Sequence, residues 1–567
     1  MNPDRRQFLR AAALTSSALA LRASAGIGQL ATSVDAHITI LPAEPIGTIA
    51  PEIYGHFIEQ LGGVIYDGVW VGEKSKIPNH HGVRQAFIDA MRAVKAPVLR
   101  WPGGCFADSY DWRDGIGPAE KRPQRTAFWT QEDSNRYGLH EFMTTCRAIG
   151  CEPYLAADVR SLPARDFYQW VEYCNAPSTP NLSGSLPGGI NALAAERARN
   201  GSPEPFNVRY WGVGNEVWGC GGSQTAEEYG GEYRRYTEWI PRYGATDEQR
   251  RDSLRLIACG ANGDDARWTA GVMKSISEHH KPFGFSTHYY TSGDAKKFAA
   301  GDALEFDPPT YYDTLARGAF MERIITDSWS ALGETNHGHS VKIIMDEWGA
   351  WYSKSTELGP KYNLSQQSTM RDAILSGITL DIFHKHADKV AMANVAQTIN
   401  CIHSLMLASE DKFTVTPTFH VFKMYMPHQG AQSLRVEFAA ASIPNPIARV
   451  TPVGGNSADG SIDPASKLAG LSGSASIATT GNGKVMTLTV VNPHLDQPIT
   501  TEIVIPGVTI ASVTGEVLTA PDIHAHNDFT HPNAVHPEPA KLGTPSGGRL
   551  IHTFPPASVT ALSLILA

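Results

Sequence analysis

Asn207-Val208-Arg209-Tyr210-Trp211-Gly212-Val213-Gly214-Asn215-Glu216-Val217-Trp218-Gly219 decides how the chain is read. A short apolar and aromatic run, the pattern of a buried strand, ends in an amide, a carboxylate and a tryptophan. Packing alone explains a carboxylate at the mouth of such a strand poorly. Val341-Lys342-Ile343-Ile344-Met345-Asp346-Glu347-Trp348-Gly349 repeats the layout far downstream. Two strand-end carboxylates suggest a pair of acids facing one sugar ring, the apparatus of glycoside hydrolysis.

Working outward, strand patterns alternate with helical ones. Strands are predicted at 53–59, 97–101, 152–157, 207–213, 254–260, 284–290, 341–347 and 389–397, and helices at 82–94, 139–149, 226–242, 266–277, 310–332, 365–384 and 416–426. This alternation over about 380 residues predicts an α/β fold, a (β/α)8 TIM barrel, rather than an open doubly wound sheet, whose glycine-rich phosphate turn after the first strand is missing. From Ser433 onward Gly, Ser, Thr, Pro and Val dominate, with strand patterns at 484–491, 499–504, 509–518 and 558–566. That is a C-terminal all-β sandwich domain. The expected domains are a signal peptide at 1–25, an N-terminal strand at 37–48 joining the sandwich, the barrel at 49–428 and the sandwich at 429–567.

A net charge of −9 argues against nucleic acid or an anionic membrane as partner. At the N-terminus, Arg5-Arg6-Gln7-Phe8-Leu9 precedes an apolar Ala-rich run and the small residues Ala23-Ser24-Ala25. This layout predicts a twin-arginine signal and export to the periplasm or medium, with no membrane attachment after processing. The seven cysteines are an odd count with no zinc-type spacing, and export of a folded chain gives no reason to assume disulfides.

In a barrel, polar residues at strand C-terminal ends converge on one face. Those ends supply Glu59, the turn from Arg100 to Cys105, Asn215, Glu216, His288, Tyr290, Glu347 and Gln397, with no metal-ligand set. Glycoside hydrolysis needs one protonated carboxyl and one ionised carboxylate. The amide beside Glu216 suits a sugar hydroxyl next to the reacting carbon, which makes Glu216 the acid/base. Glu347 is then the nucleophile, oriented by Tyr290. Trp101, Trp218 and Trp348 are either pocket walls or packing.

Gly55-His56-Phe57-Ile58-Glu59, Arg100-Trp101-Pro102-Gly103-Gly104, Gly214-Asn215-Glu216, His288-Tyr289-Tyr290, Asp346-Glu347-Trp348 and Ala393-Asn394-Val395-Ala396-Gln397 closely resemble the glycoside hydrolase family 51 α-L-arabinofuranosidases. The resemblance covers nearly the whole mature chain, and the six motifs in this order are highly specific. The resemblance implies a retaining mechanism, no cofactor, a sandwich joined by an N-terminal strand, and a homo-oligomer, a hexamer. It carries the acid/base to Glu216, the nucleophile to Glu347, sugar hydrogen bonding to Glu59, Asn215 and Gln397, and the tyrosine beside the nucleophile to Tyr290. Many members have Asn where this chain has Cys105, which leaves Cys105 either as a weaker sugar contact or paired with Cys220. Many also have Asn in place of Gly349, so substrate preference is open to change.

The expected activity is exo-acting removal of terminal arabinofuranosyl groups from arabinan, arabinoxylan or derived oligosaccharides. Rivals are another glycosidase on the same scaffold, an endo-β-glycanase or a galactofuranosidase, and a carbohydrate-binding protein without catalysis. His524, His526, His531 and His536, with Asp522 and Asp528, form a second cluster, in a loop either for a metal or reaching towards the barrel or a neighbouring subunit.

Overall fold

Eight short strands pair in parallel and close into a barrel: Gly55–Phe57, Val98–Trp101, Glu152–Ala157, Tyr210–Val213, Arg255–Ala258, Gly284–Thr291, Lys342–Ala350 and Val390–Val395. This computed structural model describes residues 34–178, 191–276, 278–291, 301–353, 358, 362–445, 467–481 and 483–567. The stretch expected to be a signal peptide lies outside them.

The barrel interior is layered, because side chains two residues apart on a strand share a face. Val98, Tyr154, Tyr210, Ile257, Ile344 and Met392 form its apolar floor. Two residues further along three of these strands come Arg100, Asp346 and Asn394, all buried. Tyr154 reaches up from the floor to donate to Asp346 Oδ2 at 2.8 Å, and Asn394 Nδ2 donates to Oδ1 at 2.9 Å. Gly212 leaves space for this, since a Cβ there would stand 3.0 Å from the Tyr154 hydroxyl. Apolar floor and polar middle layer together set the height at which Glu216 and Glu347 emerge.

The helix Leu139–Ile149 and the strand Glu152–Ala157 have the bounds their sequence periods predict. Other elements differ. The helices Ala164–Asn175 and Ala192–Arg199 lie between the third and fourth strands, where the sequence reading has none. The helical pattern at 310–332 divides into Pro308–Ala319 and Met321–Gly333. The strand carrying Glu347 continues to Ala350, and the first strand is preceded by a 3-10 turn at Pro51–Tyr54.

The all-β region is one nine-stranded sheet. In it Ala36–Thr48 runs antiparallel to Gln432–Ala439 and parallel to Ile499–Val504. Leu550 and Phe554 from one end of the strand order share a core with Met486, Leu488, Leu562 and Leu564 from towards the other. The sheet therefore folds over itself as a sandwich.

Met370–Lys385 joins the two parts. This helix is buried on nearly every face, between the barrel and the strands Ser472–Thr480 and Gly483–Asn492. Its Asp381 accepts from Ser474 Oγ and Thr489 Oγ1, each at 2.7 Å, and from Tyr425 OH at 3.1 Å. Burial pushes the Asp381 carboxyl up to about 7, against an ordinary value of 3.8. A carboxyl with a raised folded-state pKa favours folding at acid pH, and that contribution is lost as pH rises from about 4 to about 7. Asp381→Asn keeps an oxygen acceptor and removes the titration. The melting temperature of Asp381→Asn relative to wild type is expected to climb between pH 4 and pH 8, by an amount on the order of 2–4 kcal/mol in stability. A gap independent of pH would show that Asp381 is ionised throughout.

Candidate active site

Arg100 is the centre of the site. Its guanidinium is buried over the Phe57 ring, 4.5 Å from the centroid. Nη1 donates to Glu347 Oε1 at 2.8 Å, Nη2 to Asn215 Oδ1 at 2.6 Å, and Nε stands 3.4 Å from Asp346 Oδ2. Neighbouring residues on a regular strand point to opposite faces. Here the pairing of the sixth and seventh strands slips between Thr287 and His288, whose partners are Met345 and Glu347. This bulge re-aims the strand end, and Asp346 and Glu347 both reach Arg100.

Glu347 also accepts from Tyr290 OH, which lies 2.6 Å from Oε2. Burial pushes this carboxylate up, but His288, Arg100 and the Tyr290 hydroxyl outweigh it, and Glu347 is held below the usual carboxylate range. His288 Nδ1 lies 3.0 Å from Glu216 Oε1 and 3.6 Å from Glu347 Oε2. Burial would lower the imidazole, yet the two carboxylates raise it above its ordinary value. Oxygens of Glu216 and Glu347 and a ring nitrogen of His288 all lie within 4.8 Å of one another.

Glu216 sits at φ 41°, in the left-handed region, directly after Gly214 and Asn215. Such backbone in a non-glycine residue persists only where its surroundings hold it. Here the Asp108 carboxylate does so, accepting from Asn215 N and from Val159 N, each at 3.1 Å. Downstream, Gln224 N donates to Val217 O, and a reciprocal capping box between Thr225 and Glu228 starts the helix Ala226–Thr237. Glu216 is the more exposed of the two acids, its side chain 19 % accessible against 5 % for Glu347.

Glu59 lies on the other side of the Gly103-Gly104 turn. It accepts from Trp129 Nε1 at 2.9 Å, Phe106 N at 3.1 Å and Gln397 Nε2 at 2.8 Å. Burial, with the Glu347 charge adding to it, pushes Glu59 up to about 7. The two glycines make room: a Cβ at Gly103 would stand 2.5 Å from Glu59 Cγ, and one at Gly104 3.1 Å from Glu347 Oε1. Gln397 Oε1 is buried with no hydrogen-bond partner among the described residues.

Cys105 forms a disulfide with Cys220, so it has no thiol proton to donate. Its sulfur and that of Cys220 stand 3.6 Å and 3.5 Å from Glu216 Oε2. Glu59, Cys105, Asn215, Glu216, His288, Tyr290, Glu347 and Gln397 are thus brought together. Trp101, stacked on Phe142, and Trp348, stacked on Phe422, are buried packing residues; Trp218 is half-buried and donates to Gly260 O. Gly349 faces His403, whose Cβ a Gly349 Cβ would approach to 2.9 Å, so a larger residue there would first meet the core.

Asp108 and Trp129 escape a reading of strand ends, because both lie in the long connection after the second strand. The histidine-rich loop does not converge: His524 pairs with Asp522, His531 with Asp528 and His536 with Glu538. It reaches the barrel instead. His524 Nε2 lies 2.8 Å from Phe306 O, and Ala525 O accepts from Met370 N.

Residues 90–302 match the family model described as the α-L-arabinofuranosidase 1 domain, and residues 346–558 the α-L-arabinofuranosidase C-terminal domain. An intracellular exo-α-L-arabinofuranosidase of Bacteroides ovatus is 35 % identical over 94 % of this chain and 96 % of its own length. An intracellular exo-α-(1→5)-L-arabinofuranosidase of Streptomyces lividans is 29 % identical over 65 % of this chain and 54 % of its own. These names overturn the expectation of a signal peptide and export drawn from residues 1–25. The crystal structure of the family 51 arabinofuranosidase from Xanthomonas axonopodis pv. citri superposes with a TM-score of 0.83, at 33 % identity, over 94 % of this chain and all of that one. The motifs on the barrel strands, the domain matches and the likeness over nearly the full length agree: this chain belongs to the glycoside hydrolase family 51 α-L-arabinofuranosidases.

Proposed function

We propose that the protein is a retaining, exo-acting α-L-arabinofuranosidase in which Glu347 attacks the anomeric carbon and Glu216 supplies the proton. The observation that carries this reading is the closeness of the two carboxylates, with oxygens within 4.8 Å. Retaining glycosidases hold their carboxyls about 5 Å apart, whereas inverting ones need roughly 6.5–9.5 Å to admit a water.

The electrostatics support the division of labour. Arg100, His288 and Tyr290 keep Glu347 ionised and aimed, as a nucleophile must be. In the first step a Glu347 oxygen bonds to the anomeric carbon while Glu216 protonates the departing glycosidic oxygen. In the second, Glu216 takes a proton from water, which displaces Glu347 and restores the starting configuration. We assign Asn215 Nδ2, Gln397 Oε1 and Glu59 to the sugar hydroxyls. The names of the relatives further suggest terminal α-L-arabinofuranosyl groups as the substrate, met inside the cell.

The test is proton NMR of the first sugar released from 4-nitrophenyl α-L-arabinofuranoside. The α-anomer is expected before mutarotation, and initial β-anomer would overturn the mechanism. Glu347→Ala is expected to lower kcat by at least about a thousandfold, on the order of 4 kcal/mol of barrier, with the fold intact by circular dichroism. Turnover near the wild-type rate would remove Glu347 from the chemistry. Because Glu59 titrates near 7 in contact with Gln397, the pH profile of kcat/KM should carry a step near neutrality that Glu59→Gln abolishes. Profiles of identical shape would place Glu59 outside the reacting set.

A further inference from the structure

The Cys105–Cys220 disulfide packs directly on the acid/base candidate, which is unusual company for a group that must hold and release a proton. Both sulfurs face the same oxygen, Glu216 Oε2, at 3.6 Å and 3.5 Å, and all three residues are only half-buried. Ligands at about 2.3 Å (sulfur) and about 2.1 Å (oxygen) on a tetrahedral zinc ion stand about 3.6 Å apart. The two sulfur–oxygen spacings therefore already suit such an ion. The two sulfurs do not, because they are bonded to each other, whereas two zinc-bound thiolates stand about 3.8 Å apart. Breaking that one bond is what separates the observed arrangement from a three-ligand site whose fourth position the described residues do not supply.

We propose that Cys105, Cys220 and Glu216 form a reductively opened binding site for a soft divalent ion of the zinc type, which switches the glycosidase off when it is filled. A dithiol reductant opens the site: one of its thiolates attacks a cysteine sulfur, the S–S bond breaks, and its second thiol closes the reductant into its own disulfide. Two electrons and two protons pass to the cysteine sulfurs. The ion then displaces the two thiol protons and binds the Glu216 carboxylate, which can no longer hold a proton for the leaving group. The two cysteines lie 115 residues apart in the sequence, so no short cysteine spacing betrays them. Binding of the ion depends on the geometry alone; loss of activity rests also on the proton role proposed for Glu216.

The full chain is prepared with the disulfide intact and, separately, reduced with dithiothreitol and desalted without air. Each is titrated with zinc chloride against a chromophoric chelator, alongside reduced Cys220→Ser. One zinc per chain is expected in the reduced wild type, with Kd of about 1 µM or tighter, and none at that affinity in the other two. Hydrolysis of the nitrophenyl arabinofuranoside should fall at least about tenfold with one equivalent of zinc and return with EDTA. Equal uptake with the disulfide intact, or undiminished uptake by reduced Cys220→Ser, overturns the site. Uptake as expected with unchanged turnover supports the site and overturns the role of Glu216.

Discussion

The Arg100 guanidinium, buried beneath the two acids, is the charge on which the arrangement depends. A cation removed from water costs several kcal/mol unless it is paired and hydrogen-bonded. Here the compensation comes from three other barrel strands or their ends: Asn215 after the fourth, and Asp346 and Glu347 on the seventh, with Phe57 of the first beneath. The ion pairs thus draw strands together across the barrel while fixing one oxygen of Glu347, the proposed nucleophile. Asp346 is in turn held by Tyr154 and Asn394, so the third and eighth strands join the same network. Removing any one partner would leave a buried charge or acceptor unpaired, which is why this layer offers little freedom of substitution.

Arg100 and Tyr290 make the two acids unequal. They engage both oxygens of Glu347, while His288, between the acids, stands nearer to Glu216. Negative charge is stabilised on the buried Glu347. Two carboxyls this close would otherwise compete for one charge. The same reasoning applies to Glu59, where burial and the Glu347 charge act in one direction and only neutral hydrogen-bond donors act against them.

The barrel was legible because its strands are short apolar runs ending in polar residues, and its two best-defined elements, Leu139–Ile149 and Glu152–Ala157, follow simple periods. Three of the longer sandwich strands were not. Ser472–Thr480 reads SGSASIATT, which looks like a loop, yet Ser474 and Ser476 are buried because Asp381, His384 and His428 hydrogen-bond them. Gln432–Ala439 and Arg549–Phe554 also went unread; the first is completed by Ala36–Thr48, almost four hundred residues earlier. Likewise the acids, amides and tyrosine of the site could be read from strand ends, but Asp108 and Trp129 could not, since a loop residue's partners are set by tertiary contact rather than by period. The N-terminal stretch misled for a related reason: a leader-like pattern is a matter of composition, and the relatives' names outweigh it.

The loop carrying Glu216 is tethered twice. Asp108 holds its start through Asn215 N, and Cys220 fastens its far side to Cys105, on the turn after the second strand. Arg160 links the tethers, donating from Nε to Asp108 O and from Nη1 to Cys220 O. An amide at position 105 could offer a sugar two hydrogen-bonding groups but no covalent tie. The disulfide gives up those polar contacts and stiffens the loop whose left-handed residue is the acid/base candidate. The proton role proposed for Glu216 is therefore tied to one sulfur–sulfur bond, because the same two side chains that hold the loop also form the wall of its carboxylate.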